Sequence, residues 1–124
     1  MRRFKYRDFN EWAEHEKISD EALLNAAEEI EAGLFEASLG GSLYKKRIAR
    51  KGQGKRSGYR VIVAFKQDKK LFFLYGFAKN KQANISETQK SLLTELSKFL
   101  LTMNDQQIAE WLKKHKLIEV MYEH

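Results

Sequence analysis

The sequence predicts an α+β fold: a small, mostly antiparallel sheet of about four strands flanked by helices. Two observations carry that expectation. Apolar residues at helical spacing, with capping signals ahead of them, occupy the stretches near both ends of the chain, whereas alternating or wholly apolar runs crowd the middle from Leu43 to Ala78. The length of 124 residues, with 43% apolar and 32% charged side chains, suits one domain spanning residues 1–124 around one core.

The elements follow in order. Arg3, Lys5 and Arg7 alternate with Phe4 and Tyr6, the period of a short first strand with its aromatic side inward. Asp8 followed by Glu11 has the spacing of a capping box and predicts a helix. Ser19 with Asp20 and Glu21 behind it predicts a second, whose acids sit at the positive end of the helix dipole. Its core stripe is expected to be Leu23, Ala26, Ala27, Ile30 and Leu34. Gly40 and Gly41 break the pattern between Ala37 and Ser42. Strands are then expected over Leu43–Arg50, Tyr59–Phe65 and Leu71–Ala78, the last apolar on both faces as a central strand should be. A Gly-rich basic loop, Lys51–Gly58, joins the first two, and a hairpin through Gln67–Lys70 joins the last two. Ser86 with Gln89 opens a third helix striped by Leu92, Leu93, Leu96, Phe99 and Leu100. Asn104 with Gln107 opens a shorter one, and LIEVMYEH at the end is a strand or a loose tail.

Charge is segregated along this frame. Lys45–Arg60 holds eight Lys or Arg residues and no acid, whereas residues 8–37 hold ten acids against Lys17 alone, within a net charge of +6. A basic segment backed by sheet attracts phosphates at long range, so nucleic acid is the leading partner. Alternation puts Lys45 and Arg47 on one face and Lys46 on the other, with Arg60 of the next strand in reach of the first pair. Arg50, Lys51, Lys55 and Arg56 extend the basic surface, while Gly52, Gly54 and Gly58 allow close backbone approach to phosphate. Lys79 and Lys81 follow the central strand. Tyr75 offers an aromatic face to a base, whereas Phe77 is expected in the core. Surface cations are more often merely solvated. Against that reading, eight cations without cross-strand acids repel one another, which a purely structural strand normally avoids.

Other chemistry is excluded or weak. The chain has no Cys, so disulfides, thiolate metal sites and a Cys nucleophile are absent. His15, His115 and His124 have neither triad nor metal spacing, and GQGKRSG lacks the spacing of a nucleotide-phosphate loop and joins two strands. No metal or cofactor is expected. No run approaches signal-peptide or membrane-span length, so a cytoplasmic protein without a membrane partner is expected.

The order of these elements, with Tyr44-Lys45-Lys46-Arg47, Gly58-Tyr59-Arg60-Val61 and Leu74-Tyr75-Gly76-Phe77-Ala78-Lys79-Asn80, resembles the RelE/ParE superfamily of bacterial type II toxins, most closely its HigB-like RelE branch. The likeness runs from Phe4 to about Leu101. It implies a RelE-like fold and a metal-independent endoribonuclease that cuts mRNA in the ribosomal A site, neutralised by a cognate antitoxin, often a helix-turn-helix protein. Carried over by position, the catalytic cations are Lys45, Arg47 and Arg60, with Lys79 after the central strand. Lys46, Arg50, Lys51, Lys55, Arg56, Tyr75 and Lys81 are the accompanying RNA-binding residues. Neighbouring cations disfavour a protonated ammonium, which suits Lys45 to proton transfer. Several relatives place a Tyr or His soon after that central strand; this chain has Asn80, Asn84 and Ile85, which leaves the general base unassigned. Two other readings stand beside this one: a ParE-like gyrase poison without nuclease activity, and a non-catalytic RNA-binding module.

Overall fold

A computed structural model describes residues 1–50, 58–67 and 70–122. Strand β1 (Arg2–Tyr6) leads into helices α1 (Arg7–His15) and α2 (Asp20–Glu31). A meander follows, of β2 (Ala37–Gly40), β3 (Leu43–Ile48), β4 (Tyr59–Phe65) and β5 (Lys70–Ala78). Helices α3 (Glu87–Leu101) and α4 (Asp105–Lys113) and strand β6 (Leu117–Glu119) complete the chain. The sheet has six strands in the order β2-β3-β4-β5-β1-β6, antiparallel except where β1 lies parallel to β5. The α+β expectation therefore holds with two more strands than the sequence suggested. Both are short edge strands: β2 occupies the Gly40–Gly41 break, and β6 is the end segment, zipped onto β1.

Each face of the sheet carries its own core. Helices α1 and α2 cover Tyr59, Val61, Val63, Phe65, Leu71 and Phe73 with Phe9, Leu23, Ala27 and Ile30. Helices α3 and α4 cover Phe4, Leu43, Ile62, Ala64, Phe72 and Leu74 with Leu93, Leu100 and Ile108. Layers on both sides explain why β4 is buried at every position. The same sandwiching corrects the reading of β1. Phe4 faces one core, but Lys5 is not solvated on the other; it is 7% exposed, with Nζ 2.9 Å from Asp20 Oδ1 at the start of α2.

Capping chemistry decided three of the four helix starts. Ser19 accepts from Ala22 N, and Ser86–Gln89 and Asn104–Gln107 form reciprocal capping boxes. The fourth differs. The N-cap of α1 is Tyr6, with no side-chain cap bond, and Asp8 sits inside the first turn. Two stripes also need correction. Leu34 lies beyond α2 and is 59% exposed, and α3 turns Leu93, Ser97 and Leu100 inward while Leu92 and Phe99 stay exposed.

Glycines mark two close approaches. A Cβ on Gly76 would lie 2.2 Å from the Trp12 ring, so the bare backbone of β5 is the seat on which α1 docks its indole. At Gly58 a Cβ would lie 2.4 Å from Ile48 O. Its lack of a side chain thus serves the close packing of β3 against the chain entering β4, where a phosphate cradle was expected.

Candidate functional site

The β3–β4 register sets Arg47 directly opposite Arg60 and Lys45 opposite Ile62, so alternation turns all three cations to the α3/α4 face. The cluster lies toward the end of the sheet where β5 gives way to the turn that precedes α3 at Glu87. The three side chains converge there on one carboxylate that the sequence reading did not single out, Glu36, just before β2. Arg47 Nε donates to Oε1 at 3.0 Å and Arg60 Nε to the same oxygen at 3.3 Å. Arg60 Nε also stands 3.1 Å from Oε2, and Lys45 Nζ 3.8 Å. Arg60 is 3% exposed, its guanidinium braced by Nη1 donating to Tyr59 O.

Glu36 reaches this point because β2 folds back on β3: Glu36 N donates to Lys45 O, and Ala37 pairs with Lys45. Burial alone would raise its carboxyl pKa, but the Arg47 hydrogen bond and the charges of Arg60, Lys45 and Arg47 hold it below the usual carboxylate range. Oε2 is buried without a hydrogen-bond donor aimed at it. The three cations around this ionised carboxylate mark a seat for an oxyanion, which Glu36 itself fills. A usable signal was present: Glu36 is the last acid before the basic run, and Gly40-Gly41 between them is a turn. The basic run, expected to lack cross-strand acids, has acidic relief on both faces. Glu36 relieves one face, and Glu29 relieves the other, 3.3 Å from Lys46 Nζ.

The remaining cations disperse. Lys46 points to the α2 face as expected, where it is 6% exposed and also bonds Leu34 O; this is a structural anchor. Arg50 lies on that same side, its guanidinium 5.5 Å from the centre of the Tyr59 ring. Lys79 Nζ donates to Ala83 O inside its own turn, and Lys81 is exposed. Lys51, Lys55 and Arg56, with Gly52 and Gly54, lie outside the described residues.

A hydrogen-bonded network adjoins the cluster. Lys45 Nζ donates to Asn84 Oδ1 at 3.4 Å. Tyr75, half-buried on the same face, donates its hydroxyl to Gln82 Oε1 and accepts from Gln89 Nε2, each at 3.0 Å. Gln89 is also the capping residue of α3, so the helix start and the Tyr75 ring are fixed together. Phe77 is 4% exposed and packs 6.1 Å from Tyr75, in line with its expected core role. A family model described as the RelE toxin of the RelE/RelB toxin-antitoxin system matches residues 1–120.

The chain belongs to the RelE toxin family. It is therefore the toxin of a toxin-antitoxin pair, with a cognate antitoxin as partner. Among its described residues no helix is long and apolar enough to cross a membrane, and no three His, Asp or Glu side chains gather as a metal site.

Proposed function

We propose that this RelE-family toxin is a ribosome-dependent endoribonuclease that cuts mRNA through attack of a ribose 2′-hydroxyl on the adjacent phosphate. The observation that carries this reading is the meeting of Lys45, Arg47 and Arg60 on the Glu36 carboxylate. Cations arranged to grip two carboxylate oxygens are arranged to grip two non-bridging phosphate oxygens. The 2′-oxygen bonds to phosphorus as its proton leaves, the bond to the 5′-oxygen breaks, and that oxygen takes up a proton. The products are a 2′,3′-cyclic phosphate and a 5′-hydroxyl.

Negative charge on the phosphoryl oxygens grows toward the transition state. Arg60, buried and braced, supplies a fixed donor to it; Arg47, half exposed, closes on the other oxygen. Lys45, between Glu36 and Asn84, is the side chain placed to exchange a proton with the reacting oxygens. In the free protein Glu36 holds the three cations together, and the entering phosphate takes over its contacts. We place the toxin in the HigB-like branch, acting in the cytoplasm as one domain, with a helix-turn-helix antitoxin.

The test is induction in growing bacteria with mapping of new mRNA 5′ ends by primer extension, with and without translation of the reporter. Cuts that depend on translation are expected for the parent. Arg47→Ala and Lys45→Ala should reduce cutting by roughly a hundred-fold or more. Because Arg60→Ala removes a buried brace, Arg60→Lys provides a folded comparison that keeps the charge and loses the forked geometry. Undiminished cutting in all three positions would refute the assignment. Toxicity that survives them all without mRNA cuts would favour gyrase poisoning.

A further inference from the structure

The rim of the sheet that carries Arg47 and Arg60 has a second basic hollow on its opposite face. The register sets Ile48, Tyr59 and Ala78 side by side there, and Ile48 and Tyr59 turn to the α1/α2 layer. Between that rim, the end of α1 and the start of α2 lies a cavity of about 670 Å³. Its lining combines apolar Ile48, Ile18 and Ala22 with Arg50, Lys17, Lys81 and His15.

Glu16 is the one acid among these lining residues, and its partners are other residues of the lining. Its carboxylate is hydrogen-bonded to His15 Nδ1 at 3.2 Å and to the Tyr59 hydroxyl. The Arg50 guanidinium lies over the Tyr59 ring, 5.5 Å from its centre, and both line the hollow. Lys17 occupies the left-handed backbone region, φ 58°, at the helix end where Gly is preferred. The turn locks it there by Lys17 N donating to Glu14 O and Ile18 N to Ala13 O. A long cationic side chain thus stands at a position where Gly would relieve the backbone.

We propose that this hollow is a second nucleotide site, which takes a base and its phosphate from single-stranded RNA running over the sheet rim. Apolar lining in a hollow of nucleotide size, a guanidinium plane for base stacking and ammonium groups for phosphate are the parts such a site needs. The ligand class rests on the RNA reading of the first cluster; the site does not depend on cleavage.

The test uses the full-length toxin and a 2′-O-methyl hexauridylate, which has no nucleophile and is not cut. Amide shifts on titration are expected at Lys17, Ile48 and Tyr59 together with Arg47 and Arg60. Lys17→Glu combined with Lys81→Glu should weaken binding about ten-fold or more. Lys17→Gly relieves the backbone, so it should raise thermal stability while weakening binding several-fold. Shifts confined to the Arg47 and Arg60 face, or full affinity in Lys17→Gly, would overturn the proposal. An oligonucleotide bound in the hollow by a toxin that cuts nothing would refute the nuclease reading and leave this one standing. Translation-dependent cutting with a silent hollow would do the reverse.

Discussion

Replacing Glu36 with Gln removes one charge and almost no volume from a point where three cations meet. The side chain is 18% exposed and accepts from Arg47 at 3.0 Å and Arg60 at 3.3 Å, with Lys45 at 3.8 Å. A hydrogen bond to a charged group contributes about 1.5–3 kcal/mol. Arg47 is half exposed and its share is screened, so most of the effect comes from buried Arg60. Gln keeps a neutral acceptor, and we expect a net loss of about 1.5–3 kcal/mol. For a chain of this size that is a fall in Tm of roughly 6–12 °C.

The variant also leaves the three cations without a countercharge. Inorganic phosphate should stabilise it, by up to about 2.7 kcal/mol at a hundred times its Kd, whereas the parent, whose own carboxylate neutralises the cluster, should gain less. The pH dependence has a definite sign. Glu36 has a folded pKa below its ordinary 4.5, so its contribution is present above that value and is lost as pH falls through the lowered one. The gap between parent and variant should therefore close on acidification below about pH 4.5. Thermal unfolding across phosphate concentration and pH reads all three effects. Equal Tm at neutral pH, or equal gains from phosphate in both proteins, would refute the reasoning.

Four further outcomes follow from the packing. Gly76→Ala forces a methyl group into the Trp12 ring and should cost about 1–3 kcal/mol in urea unfolding, with a change in Trp fluorescence; a neutral result would mean α1 can slide on β5. Gly58→Ala meets the backbone of Ile48, which has no rotamer to yield, so the loss should be at least as large and should come with weakened amide protection in β3 and β4. Lys5→Met, which keeps the buried stem, should change stability by less than about 1.5 kcal/mol. Asp20→Ala leaves the Lys5 ammonium buried without its partner and should cost about 1–3 kcal/mol by the same measurement.

Local chemistry decides what one segment can show by itself, and the sequence was informative there. Cap residues at Ser19, Ser86 and Asn104 start their helices because they satisfy backbone donors within one turn. The same locality made the facing of Lys45, Arg47 and Arg60 legible, since alternation needs only the strand and its register. What partners elsewhere decide was less legible. The end segment, open between strand and loose tail in the sequence, is a strand because β1 offers it an edge; α1, predicted from a capping box, starts without a capping side chain; and Lys5 is buried because α2 brings Asp20 over it.

The cationic cluster divides along the same line. Its composition, and the resemblance it carries to the RelE toxins, stand in the primary structure. Folding decides that Lys46 is tied down by Glu29, that Arg50 belongs to the opposite face, and that Glu36 lies in the midst of the other three. Burial and ion pairing depend on distances across the sheet, which a linear order of residues leaves undetermined until β2 turns back on β3.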